Sequence, residues 1–153
     1  MDVLLDQAIR EEYPEVDVPL SMIRKFKESY SYVGESESGA RVKIPVGGKP
    51  RKIEIGKQVG ESCNQLLQEV FESIKKVIAM ASPQSVFSLL QNIILTGGGS
   101  RIRNFDQELQ RLLADDGYED PEVTISSREI KPFVAMGAMK VAKAARDDQW
   151  VRL

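Results

Sequence analysis

Apolar and polar positions divide the chain into two stretches with different periodicity. Over residues 2–13, Val3, Leu4, Ala8 and Ile9 fall near one face of a helix opened by Asp2 and stopped by Pro14. Asp17, Pro19 and the run Leu20, Ile23, Phe26 and Tyr30 predict a second helix, with the proline in its first turn. Gly34 to Gly39 is small and polar and reads as a loop. Val42, Ile44 and Val46 then alternate with polar residues, as do Ile53 and Ile55. Gly47 and Gly48 between them supply the positive φ that a tight hairpin connection often requires. Residues 1 to about 56 therefore predict a small α+β unit.

The remainder has longer periods. From Gln58 to Met80, the positions Val59, Leu66, Leu67, Val70, Phe71, Ile74, Val77 and Ile78 keep helical spacing. Pro83 ends this helix and starts a shorter one through Val86, Leu89 and Leu90. Ile93-Ile94-Leu95 is a compact apolar strand running into Thr96-Gly97-Gly98-Gly99-Ser100. A helix from about Asn104 to Leu113, a strand Val123-Thr124-Ile125 and a last helix over Pro132–Ala145 follow. Such an order predicts an α/β arrangement with a parallel sheet covered on both faces. Two strands are too few for that sheet, since isolated two-stranded sheets are marginal in water. The remaining strands are expected in another segment or in a partner.

Composition narrows the chemistry. The 153 residues suit one domain, and 42% hydrophobic with 29% charged residues argues against disorder. Without histidine the chain has no serine–histidine or cysteine–histidine nucleophile and no histidine-ligated metal. Cys63, the one cysteine, cannot form an intramolecular disulfide and fits a reducing cytosol. The 21 basic residues are outnumbered by 23 acidic ones, which gives no sign of a nucleic-acid binder, and no apolar run is long enough to span a bilayer.

The glycine triplet is the sharpest local feature. Three glycines between a strand and a helix let the backbone approach a ligand closely, and free amides at the following helix start can meet phosphate oxygens. A tight strand-to-helix turn is the plain alternative. The loop matches neither the dinucleotide fingerprint nor the Walker pattern.

The segment Asn92-Ile-Ile-Leu-Thr-Gly-Gly-Gly-Ser-Arg-Ile-Arg103 resembles the adenosine motif of the actin-like ATPase superfamily. Met1-Asp-Val-Leu-Leu-Asp-Gln-Ala-Ile9 with Glu12-Tyr-Pro-Glu15 resembles the segment that opens the smaller lobe of domain II in bacterial actins. Phe26-Lys-Glu-Ser-Tyr-Ser-Tyr-Val-Gly34 resembles the ribose-binding helix and its exit. Leu90-Gln-Asn-Ile93, Gly97-Gly-Gly-Ser-Arg-Ile-Arg103 and the tail Gln149-Trp150 are more similar to the magnetosome (MamK) branch than to the cell-shape (MreB) branch. The resemblance covers essentially the whole chain and identifies it with the carboxy-terminal part of the fold. It implies a small α+β lobe (IIB-like) over 1–56 and a partial large lobe (IIA-like) over 57–153, with an incomplete sheet.

By position, the resemblance implies that Gly97, Gly98 and Gly99 pass beside the α-phosphate and ribose. Arg101 and Ile102 would flank the adenine, by guanidinium stacking and aliphatic cover. Lys27 and Glu28 would reach the nucleoside, the carboxylate accepting from ribose hydroxyls, and Lys131 would lie on the adenine rim. On spacing alone, a solvated charged face explains Lys27 and Glu28 better, and only the joint pattern lifts them. The expected cofactor is ATP or ADP with Mg²⁺ in a complete protein. The acidic glycine-rich phosphate hairpins of the fold have no counterpart here, so the chain alone is expected to bind ATP at about millimolar affinity or worse and not to hydrolyse it.

The family's other activity is filament formation, and the resemblance implies self-association or assembly with a full-length homologue. It also implies contact with magnetosome-associated proteins and a cytoplasmic, cytoskeletal location alongside magnetosomes. Any exposed apolar residues of the hairpin Val42–Ile55 and the loop Gly34–Gly39 are the interface candidates, although inward packing of Ile44 and Ile53 on the two first helices is the better reading; the tail Arg146–Leu153 fits docking on its own surface, contact with a neighbour or fraying. A gene fragment, a frameshifted gene, a deliberate truncation and a genuine short protein that co-assembles with or caps filaments all fit the strand shortage, the last less well. A glycine-loop cofactor enzyme fits less well, because the strand ending Ile125-Ser-Ser-Arg128 lacks an acidic tip.

Overall fold

The computed structural model describes residues 1–34, 39–46, 49–126 and 130–146, with side chains left out at 130–133. Residues 35–38 of the expected loop, the Gly47-Gly48 connection and the tail residues Gln149, Trp150 and Leu153 lie outside the described residues.

Two short helices open the chain, α1 (Asp2–Glu12) and α2 (Leu20–Tyr30). On α1 the inward stripe is Leu5 and Ile9, spaced one turn apart, whereas Val3 is exposed. The expected stripe is therefore rotated, because Leu5 and not Val3 meets the core. Pro19 occupies the N-cap of α2 instead of its first turn, with extended dihedrals of φ −61° and ψ 143°. Its carbonyl accepts from the amides of Met22 and Ile23, which satisfies donors at the helix start. Ile23 and Phe26 are the buried residues of α2.

Charge ties the two helices together. Asp2, in the first turn of α1, accepts from Lys27 and from Arg24 at 3.1 Å. The Lys27 ammonium, with help from Arg24 and against partial desolvation, holds the Asp2 carboxyl below its ordinary range. Arg10 similarly bridges Asp6 at 3.0 Å and Asp17 at 3.2 Å, fastening the connection between the helices.

The hairpin pairs β1 (Arg41–Val46) with β2 (Lys49–Glu54) antiparallel. Val42, Ile44 and Ile53 turn inward and are buried, so these apolar residues belong to the core and are not an exposed interface. Ile55 lies beyond the strand as the N-cap of α3 (Gly56–Met80), also fully buried. Along that 25-residue helix Val59, Cys63, Leu67 and Phe71 recur every fourth position and face the core. Burial raises the Cys63 thiol's pKa, which keeps it a small hydrophobe.

Beyond α4 (Pro83–Leu90), strand β3 (Ile93–Leu95) pairs parallel with β4 (Val123–Ile125) through the crossover helix α5 (Phe105–Asp115). Phe105, Leu109 and Leu113 bury one face of α5 in the same core, which runs continuously from Leu5 to Val123. Helix α6 (Ile130–Ala144) follows. Among the described residues the β3–β4 sheet has two strands, and apolar surface beside it is uncovered: Ile94 is 63% exposed, and Val77 of α3 and Phe87 of α4 are 59% and 58% exposed. A groove of about 460 Å³ runs between α3 and β3, lined by Leu66, Val70, Ile74, Val77, Leu89 and Ile93. The sheet is thus incomplete, as the strand shortage predicted.

One close approach fixes where α2's exit meets α3. Tyr32 donates its hydroxyl to the carbonyl oxygen of Gly56 at 3.2 Å, and its ring lies over Gly60. A Cβ at Gly60 would come within 2.8 Å of the ring carbon Cζ and closer still to the hydroxyl. In an open helix, Gly→Ala gains up to about 1 kcal/mol; here the collision reverses the sign. Gly60→Ala is expected to destabilise the chain by about 1–3 kcal/mol in urea unfolding, and pairing it with Tyr32→Phe should recover part of that loss.

The Asp2 cluster gives a pH signature. Because the folded carboxyl titrates below its unfolded value of about 3.9, the unfolded state binds more protons in this range, and stability rises with pH there. Asp2→Asn should lower the urea midpoint at pH 7, and the gap to the parent should close as pH falls below about 4.

Candidate nucleotide pocket

The polypeptide leaves β3 at Leu95 and turns through Gly97, whose φ of +89° is one that only glycine adopts without strain. The buried Ser100 hydroxyl donates to the Gly97 carbonyl at 2.8 Å and fastens the turn. A short 3₁₀ turn, Gly99–Arg101, follows, with Arg101 N–H donating to Gly98 and Ile102 N–H to Gly99. Helix α5 begins only at Phe105, after Asn104 in the left-handed region at φ 62°. The glycines therefore do not form the amino terminus of α5, which begins six residues after Gly99.

Backbone bonding joins this turn to the end of α2. Val33 N–H donates to the Arg103 carbonyl at 3.1 Å, and Arg103 N–H donates to the Ser31 carbonyl at 3.3 Å. Tyr32 and Arg103 thereby form a parallel bridge, and the Arg103 guanidinium adds a bond to Ser31 at 3.4 Å. Across this seam opens a cavity of about 380 Å³. Lys27, Glu28 and Ser31 line it from α2, Gly98, Gly99, Arg101 and Ile102 from the turn, Leu66 from α3 and Met1 from the start of α1.

Of the site residues expected from sequence, Lys27, Glu28, Gly98, Gly99, Arg101 and Ile102 meet around one cavity. Gly97 shapes the turn behind it. The Lys131 side chain lies outside the described residues. Ser31, Leu66 and Met1 were not named as site residues from sequence; Leu66 carried only a core-helix signal, and Ser31 and Met1 lay inside the matching motifs without an assigned role.

The two central glycines differ. A Cβ on Gly99 would touch Leu66 at an ordinary 3.6 Å. Gly98 has right-handed helical dihedrals (φ −64°, ψ −33°), and a Cβ there would meet nothing within 4 Å. Neither backbone strain nor protein packing requires glycine at 98. The space a side chain would fill is open, and Gly98 is one of the residues that line the cavity.

Chemically, the pocket offers a carboxylate acceptor at Glu28, backbone along Gly98–Gly99, apolar cover from Ile102 and Leu66, and cations at Lys27 and Arg101. Lys27 is engaged by Asp2, so that cation's charge is partly offset at the pocket wall. Among the described residues no three His, Cys, Asp or Glu side chains gather where they could hold a metal ion, so no Mg²⁺ ligands are assigned. No helix among them is long and apolar enough to cross a membrane.

The chain is 31% identical to the actin-like protein MamK of Magnetospirillum gryphiswaldense, over all of its own length and 42% of the relative's. Its structure is similar to that of a MamK double helical filament, with TM-score 0.84 and 29% identity over 95% of this chain and 44% of that one. A non-polymerising MamK mutant bound to AMPPNP matches at TM-score 0.80 and 29% identity, over 93% of this chain and 43% of that one. The chain thus spans less than half the length of the relatives it matches. The family model described as MreB/Mbl protein matches residues 1–148, and the chain belongs to that actin-like family.

Proposed function

We propose that this chain supplies the adenosine side of an ATP or ADP site in a MamK-like actin homologue. Residues 1–56 act as the small lobe and 57–153 as a partial large lobe. The observation that carries the reading is the single cavity gathering Lys27 and Glu28 with Gly98, Gly99, Arg101 and Ile102. In this reading Glu28 accepts from the ribose hydroxyls, Ile102 and Leu66 exclude water from the base, Arg101 stacks on it, and the sugar passes over Gly98. The assembled protein forms cytoplasmic, ATP-regulated filaments that align magnetosomes, and further strands of the complete fold cover Ile94 and the groove along α3. A short co-assembling or capping protein is the second reading, favoured by that same uncovered groove.

Nucleoside contacts without phosphate-gripping hairpins give weak binding. Titration of the chain with ATP, followed by backbone amide shifts, should give a Kd of about 1 mM or weaker, with shifts at Gly98, Gly99 and Ile102 and no phosphate release. Micromolar binding, or shifts confined to other residues, would overturn the reading. Gly98→Ala should change stability by less than about 0.5 kcal/mol yet weaken nucleotide binding about tenfold.

The filament part is tested by pelleting with an intact MamK relative. Recovery of the chain in the pellet without loss of polymer is expected, reduced polymer indicates capping, and absence from the pellet with polymer unchanged counts against both.

A further inference from the structure

The Asp2 carboxylate stands behind the wall of the candidate nucleotide pocket. Its chain neighbour Met1 and its partner Lys27 both line the cavity, whereas Asp2 itself and Arg24 do not. Oδ1 of Asp2 accepts from the Lys27 ammonium, and Oδ2 accepts from Nε of Arg24 at 3.1 Å. One carboxylate is thus shared by two cations of α2. Those cations lie three residues apart on the helix, a spacing at which like charges repel, and Asp2 holds them side by side.

The arrangement does more than fasten α1 to α2. Leu5 and Ile9 already seat α1 in the core, both fully buried, and Arg10 fastens the connection through Asp6 and Asp17. The Lys27 side chain is 28% exposed, and among the described residues its ion-pair partner is Asp2. The charge at this point of the pocket wall is therefore set by Asp2, and partly buried charges are screened less than those in open solvent.

We propose that Asp2 is a positioning residue that determines the charge preference of the pocket: by holding the Lys27 ammonium at the wall, it favours the uncharged nucleoside end of the ligand and keeps Lys27 from phosphate. The inference rests on the nucleotide reading above and adds a selectivity to it. A lysine binds phosphate as a point charge, so an ammonium released into the cavity favours anions. With Asp2 in place that ammonium is already supplied with an acceptor, and Glu28 is left to accept from sugar hydroxyls.

Backbone amide shifts of the 153-residue chain give separate dissociation constants for adenosine and for AMP in about 20 mM salt, where screening is weak. Asp2→Asn should raise the preference for AMP over adenosine about threefold or more. Asp2→Glu keeps the carboxylate and should keep the parent's ratio. In a Lys27→Met background, Asp2→Asn should leave the ratio where that background puts it, because the ammonium it would release is gone. Loosened packing of α1 weakens both ligands alike and does not move the ratio. An unchanged ratio in Asp2→Asn, a ratio in Asp2→Glu as high as in Asp2→Asn, or a rise that persists without Lys27 overturns the proposal. If the parent binds adenosine with shifts at Gly98, Gly99 and Ile102 and Asp2→Asn leaves the ratio fixed, this inference fails while the nucleotide reading stands. If the parent binds neither ligand, both fail.

Discussion

The pocket depends on a seam of backbone hydrogen bonds between Ser31–Val33 and Arg103. Each such bond contributes only about 0.5–1.5 kcal/mol net, and the greater effect is placement. The seam aligns the last turn of α2, with Lys27 and Glu28, against the Gly98–Ile102 turn. Without it the same side chains would belong to two unrelated surface elements. The bonds use main-chain groups, so their strength depends little on which residues occupy these positions.

Two packing features hold the seam in register. Tyr32 buries its ring over Gly60 and bonds the Gly56 carbonyl, which anchors the middle of the seam to α3. The Phe105–Leu109–Leu113 stripe seats α5 in the core that also takes Ile23 and Phe26 of α2. The pocket wall is therefore packed directly on the core behind it. Leu66 faces both the pocket and the open α3 groove, so the apolar surface left by the unfinished sheet adjoins the pocket directly.

Much of the fold was legible in the sequence. Periodicity located the helices, the alternation in Val42–Ile44 located the hairpin, and counting strands foretold an incomplete sheet. Stripe orientation was less accessible: Leu5, not Val3, faces inward, because α1's rotation is set by packing on α2 and α3. Likewise Pro19 serves as an N-cap, and Ile55 leaves its strand to start α3. Propensity hardly distinguishes such one-residue shifts at element ends, where tertiary contacts decide.

By itself the sequence determined the chemistry available: no histidine, a flexible glycine turn after an apolar strand, and carboxylate and ammonium side by side on one helix. Tertiary structure alone decided which of these share a cavity. It recruited Ser31 and Leu66, gave Lys27 an Asp2 counter-ion, and moved α5 away from the glycines through an intervening 3₁₀ turn. The reason is physical. Periodic patterns encode local geometry, whereas the meeting of segments distant in the chain follows from main-chain bonding and core shape, which no local pattern records.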